Sequence, residues 1–114
     1  MSVMLKTRRV GDVTVIDVSG RITLGDGSSA IGDEVRNLTA GGNTKILLNL
    51  GEVPYIDSSG IGELIAGFTS AAKAGGTLKL LNPTKRVKDL LRMTNLNSVF
   101  AVHEDEAHAV RSFE

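Results

Sequence analysis

The order in which two hydrophobic periodicities follow one another restricts this chain's fold more than any other feature. Runs of aliphatic and β-branched residues alternate with stretches in which apolar residues recur every three to four positions, and strands alternating with helices close into an α/β layer structure. Val3 to Arg9 reads as a first strand and Val13 to Val18 as a second, with Gly11-Asp12 as the turn of a hairpin. On the second strand Val13, Val15 and Asp17 share one face, and Thr14, Ile16 and Val18 the other. Ser19 to Ser29 is rich in Gly, Ser and Thr and reads as a loop. A helix is predicted over about 29–39, capped by Ser28 or Ser29, with Ile31, Val35 and Leu38 on one face and Gly41-Gly42 as its stop. Lys45 to Leu50 is almost continuously apolar, the pattern of a strand buried on both faces.

Beyond Val53-Pro54 the spacing predicts a helix over about Ser59–Ala74. Ile61, Leu64, Ile65, Phe68 and Ala72 would face the core. Gly62, Glu63, Ala66, Gly67, Ser70 and Lys73 would point away from it. Gly75-Gly76 stops this helix, and Thr77 to Leu81 is the next strand. Pro83 or Thr84 opens a helix to about Met93, with Val87, Leu90 and Leu91 inward. Val99 to Val102 reads as a last strand, and Glu104 to Phe113 as a terminal helix with Ala107, Val110 and Phe113 on its apolar side. The order β-β-α-β-α-β-α-β-α predicts an α/β class: one compact domain over residues 1–114, with a mixed, mostly parallel sheet of about five strands.

Composition narrows the function classes. Aromatic residues are only 4% against 41% hydrophobic, so the core must be aliphatic. With no cysteine there is no disulfide framework, thiolate nucleophile or Cys-based zinc site. Thirteen Lys and Arg balance thirteen Asp and Glu, which argues against non-specific attraction to nucleic acid or an anionic membrane. No apolar run approaches the ~20 residues of a spanning helix, and the expected location is the cytoplasm.

Gly25-Asp26-Gly27-Ser28-Ser29-Ala30 fits a dinucleotide fingerprint in letters only. It stands several residues from the strand end, and no acid closes the next strand at Asn49-Leu50, so it reads as a loop and no cofactor is expected. Ser58 lies between a strand and a helix, as a hydrolase nucleophile would, but Ile56 and Gly60 flank it where a nucleophile elbow needs two glycines. His103 and His108, five apart, suit neither a catalytic base nor a metal site. Lys85, Arg86, Lys88 and Arg92 cluster on the third helix, as a solvated face or as a contact for an acidic partner surface. Asp57, Ser58 and Ser59 are all residue types that cap a helix.

Tyr55-Ile56-Asp57-Ser58-Ser59-Gly60-Ile61-Gly62 resembles the STAS domains of anti-sigma-factor antagonists. The resemblance extends to Val18-Ser19-Gly20, Ile46 to Leu50, Gly75-Gly76, Leu78-Lys79-Leu80 and Leu90 to Leu96. It implies a regulator that catalyses nothing. Ser58 would be its phosphoacceptor, with Asp57, Ser59 and Gly60 shaping the acceptor turn. The partner implied is a serine protein kinase that is also an anti-sigma factor. The unphosphorylated domain binds that partner and frees its sigma factor, phosphorylation blocks binding, and a serine phosphatase restores it. The alternative is a STAS scaffold indifferent to phosphate, for example beside a membrane transport system. Where the family often carries an acid three places after the glycine at position 20, this chain has Thr23, with Asp26 in the same loop. Glycines inside a helix cost roughly 1 kcal/mol each relative to alanine. The small outward residues Gly62, Ala66, Gly67 and Ser70, with Glu63, are therefore read as the partner-docking surface.

Overall fold

The computed structural model describes residues 3–23 and 30–114. Its opening hairpin pairs β1 (Val3–Val10) with β2 (Val13–Gly20), from Val10 opposite Val13 to Val3 opposite Gly20. Gly11 turns the chain at a φ of +64°, a conformation that costs a glycine little. Every later pairing is parallel: β2 with β3 (Lys45–Glu52), β3 with β4 (Thr77–Leu81), and β4 with β5 (Val102–His103). The five strands lie side by side in the order in which they occur in the chain.

That order places the helices. The crossovers are α1 (Ala30–Ala40), α2 (Ser58–Lys73) and α3 (Lys85–Met93). Each parallel step moves the same way across the sheet, so right-handed crossovers must all fall on one face. They do: Ile16, Ile46, Leu48 and Leu80 pack with Ile31 and Val35 of α1, Leu64 and Ala71 of α2, and Val87 and Leu91 of α3. On the other face Ala109 of α4 (Glu106–Arg111) meets Val13, Val15, Leu47 and Leu81. The two faces of β2 are thus those its alternation predicts, and Ile46, Leu47, Leu48 and Leu50 of β3 are wholly buried between the layers.

Two C-terminal expectations are corrected. The strand expected at Val99–Val102 is only Val102–His103. Asn95, in the left-handed region, leads into a single 3-10 turn at Leu96–Ser98. The chain therefore leaves Val99 exposed and delivers Phe100 to the core from a loop, edge-on to Phe68 with ring centroids 5.4 Å apart. The terminal helix begins later than its pattern implies, because the Asp105 side chain caps it by accepting from the His108 amide. Its buried residue is Ala109, while Ala107 is exposed. The suggested caps Ser28 and Ser29, and Asp26 with the glycines beside it, lie outside the described residues.

Being six residues long, α4 leaves part of its face uncovered, and there the sheet turns polar. The Arg8 guanidinium on β1 joins Asp17 of β2 at 2.7 Å and Glu106 of α4 at 2.6 Å, and Asn49 donates to Asp17 at 2.8 Å. The Arg8 hydrogen bonds hold both carboxyls below their usual range. A carboxyl depressed in the folded state adds stability at neutral pH, and that contribution disappears as acid protonates it. Because these groups are part-exposed the gain is modest. Arg8→Met is therefore expected to flatten the acid limb of the stability curve below about pH 4, read by urea midpoints measured across pH. An unchanged limb would assign the acid sensitivity to other groups.

Candidate functional site

The site forms where the parallel strands end at their carboxyl edge, the place where open α/β sheets generally bind. After β3 the chain runs Val53 to Asp57 and enters α2, and a second segment crosses beside it. Ile22 donates its amide to the Tyr55 carbonyl (3.1 Å) and accepts from the Asp57 amide (3.4 Å), an isolated parallel bridge that extends the sheet past β2 and β3. Asp57 is the N-cap of α2, its Oδ1 accepting from Gly60 N at 3.0 Å and its carbonyl from Ile61 N at 3.0 Å. Ser58 is the first helical residue, one earlier than its spacing predicts, and it is exposed. Ser59 is half-buried behind it. The amides of Ser58 and Ser59 have no partner among the described residues, so they face outward at the positive end of the helix.

Gly60, expected to shape this turn, is packed tightly against this chain's own backbone. A Cβ there would lie 2.3 Å from the Ile22 carbonyl oxygen and 2.4 Å from Ile56 Cγ1. Its missing side chain admits this chain's own Ile22 bridge.

The outward face of α2 also needs correction. Glu63 and Gly67 are buried, and Ala66 is half-buried, because α1 packs over them. A Cβ on Gly32 of α1 would lie 3.4 Å from Ala66 Cβ, and one on Gly67 would lie 3.3 Å from Ile31 Cγ2. The small residues bring two helices of one chain close together. Glu63 accepts from the Gly32 amide at 3.1 Å, satisfying a donor in the first turn of α1 from the neighbouring helix. The paired small residues Gly32 and Ala66-Gly67 are the sequence signal for this contact, since helices pack closest where side chains are shortest. Glu63→Ala is expected to cost about 1–3 kcal/mol by orphaning that buried amide, with Glu63→Gln milder. Denaturant titration decides; an unaffected midpoint for the alanine variant would remove the cap from the account.

The exposed stripe of α2 is Ser58, Gly62, Ile65, Thr69 and Ala72, spaced by alternating steps of four and three. Ile65 (41% exposed) and Ala72 stand here rather than inside, where the periodicity puts them. Gly62 keeps its predicted outward position, with no atom within 4 Å of the place a Cβ would occupy, and Ser70 is half-buried at the border with α1. Among the described residues no three His, Cys, Asp or Glu side chains gather into a metal site, and no helix is long and apolar enough to cross a membrane.

The fold is a sequential five-stranded sheet with three helices on one face and an Asp57-capped helix start at its carboxyl edge. The STAS domain family model matches residues 4–109, and the chain belongs to that family, whose anti-sigma-factor-antagonist branch works by binding rather than catalysis. A candidate anti-sigma factor antagonist of Thermotoga neapolitana is 32% identical over 73 residues, 64% of this chain and 65% of that relative. The match to the Thermotoga maritima protein, at 30% identity, spans 61% of its length. Among solved structures, an anti-sigma factor antagonist from Mycobacterium paratuberculosis superposes with a TM-score of 0.84 at 19% identity, over 98% of this chain and 94% of that one. The anti-sigma factor antagonist SpoIIAA in its unphosphorylated form gives 0.77 at 21% identity, covering 94% and 93%. At these identities the superpositions speak for the fold.

Proposed function

We propose that this domain is the antagonist in a phosphorylation-controlled partner switch in the cytoplasm, with Ser58 as the acceptor. In its unphosphorylated form it binds an anti-sigma factor that is also a serine kinase, and a sigma factor is released. Phosphate on Ser58 blocks that contact until a phosphatase removes it. The observation that carries this reading is the exposed Ser58 hydroxyl on the first turn of α2, at one end of the exposed stripe Gly62, Ile65 and Thr69. A phosphate there adds about −1.5 to −2 charges. The helix N-terminus favours that charge and Asp57 opposes it, so the fold is little disturbed. A protein docked over the turn would have to desolvate it, which is costly without a matching cation. A protein of the same fold, SpoIIAA, has been solved in both unphosphorylated and phosphorylated forms, which supports extending the reading to this chain.

The deciding experiment is intact mass with peptide mapping on the protein from its native cells across growth states. Condition-dependent phosphate on Ser58 is the expected result. Its absence in every state, with the peptide well covered, would sink the switch. A second reading would then stand: a constitutive scaffold, favoured by the likeness to the murine Slc26a9 anion transporter, where this fold matches 18% of the larger chain with a TM-score of 0.74. Stable partner binding indifferent to Ser58→Asp would mark that case.

A further inference from the structure

Among the described residues, six of the thirteen Lys and Arg side chains are paired with carboxylates. Arg8 joins Asp17 and Glu106, Arg36 joins Asp33, and Lys45 joins Asp12. The basic cluster of α3 is largely neutralised too: Lys85 and Arg92 both reach Asp89, and Lys88 reaches Glu104. Arg86 behaves differently. Its guanidinium carbon lies 4.7 Å from the centroid of the Tyr55 ring, and that of Arg21 lies 4.6 Å from the same centroid. Among the described residues neither guanidinium meets a carboxylate, and both side chains are exposed.

Two like charges gathered at one ring repel each other, and the ring's negative faces offset only part of that. What the arrangement gains is order, since Tyr55 holds two otherwise mobile forks in fixed positions. Three chain segments supply it: the residue after β2, the stretch between β3 and α2, and the first turn of α3. All of them meet at the carboxyl edge of the sheet. The backbone ties Arg21 to the acceptor turn, because its neighbour Ile22 bridges Ile56 and bonds to Tyr55 and Asp57. Asp57, the nearby acid of the acceptor turn, already spends one carboxylate oxygen on the Gly60 amide.

We propose that Arg21, Tyr55 and Arg86 form a two-pronged clamp for a carboxylate-rich segment of the protein that docks at this edge. The inference rests on the reading that a protein docks there, and it adds the chemistry of that partner: aspartate or glutamate side chains, received by two guanidiniums whose planar forks match a carboxylate. Such a contact sets which partners are accepted and how fast they arrive, because a complementary charge steers encounter and a like charge is excluded.

The test uses the full chain, isotope-labelled and verified by mass as unphosphorylated, titrated at low salt with hexaglutamate and, in parallel, hexalysine. The expected result is saturable shifts at the Arg21 and Arg86 side-chain Nε–H signals and at Tyr55 with hexaglutamate only. The double variant Arg21→Gln with Arg86→Gln should lose roughly tenfold in affinity, while Lys85→Gln, an exposed neighbour of Arg86, changes it less than about twofold. Equal shifts spread over Lys85, Lys88 and Arg92, or undiminished affinity in the double variant, would overturn the clamp. Because Ser58 carries no phosphate in any sample, failure here leaves the switch untouched. Equally, a Ser58 never phosphorylated in cells would leave a positive titration standing.

Discussion

Gly60→Ala is expected to be among the most damaging single-atom additions to this domain, costing about 3 kcal/mol or more. The reason lies in what surrounds the missing Cβ. Backbone oxygen of Ile22 stands 2.3 Å away and Ile56 Cγ1 2.4 Å away, so relief requires moving main chain rather than rotating a side chain. Opening the Ile22–Ile56 bridge would release Asp57, whose amide bonds to Ile22, and with it the cap of α2. For a domain whose total stability is of order 5–15 kcal/mol, this is a large fraction. Urea unfolding measures it. A loss below ~1 kcal/mol would mean that the bridge yields cheaply and that the turn at Asp57 is less firmly held than its geometry implies.

Gly62→Arg should do the opposite. No atom lies within 4 Å of its Cβ position, and replacing a helical glycine adds up to ~1 kcal/mol of stability. Yet a long charged side chain would then stand in the exposed stripe between Ser58 and Ile65. If a partner docks on that stripe, binding should weaken by roughly 100-fold or more, since an interface centre tolerates neither the bulk nor the unpaired charge. The readout needs no purified partner: in native cells the variant should fold, accumulate, and lose phosphate at Ser58. A folded Gly62→Arg protein with native Ser58 occupancy would move the docking surface off α2. Together the two glycines, two residues apart, separate the fold's requirement from the partner's.

Strand and helix order was legible in the sequence because the aliphatic runs of β2, β3 and β4 alternate cleanly with amphipathic stretches. The start of α2 was legible because Asp57, Ser58 and Ser59 combine capping chemistry with an abrupt change of periodicity. The facing of α2 was not. Ile61, Leu64, Ile65 and Phe68 form an apolar arc too wide to fix its rotation, and Gly62, Ala66 and Gly67 are small on either side. Only the arrival of α1 decides which of them are covered. Glu63 was misread for a related reason: an acid on a helix is exposed by default, and its partner amide, Gly32, belongs to another helix. The Tyr55 pair of arginines was equally hidden, because Arg21 and Arg86 come from separate segments that meet only when the sheet's carboxyl edge forms.

The strictly sequential strand order bears on how the domain assembles. No strand has to be threaded between two that are already paired, so the sheet can grow by accretion outward from the β1–β2 hairpin, each βα unit adding to an edge that already exists. Closure distances stay short at every step, which favours fast folding for a mostly parallel sheet. The same geometry makes the last addition the weakest: β5 holds on through two paired positions, Leu80 with Val102 and Leu81 with His103. That end should fray first in hydrogen exchange, while the start of α2, tied to the Ile22 bridge beside β2 and β3, should be better protected.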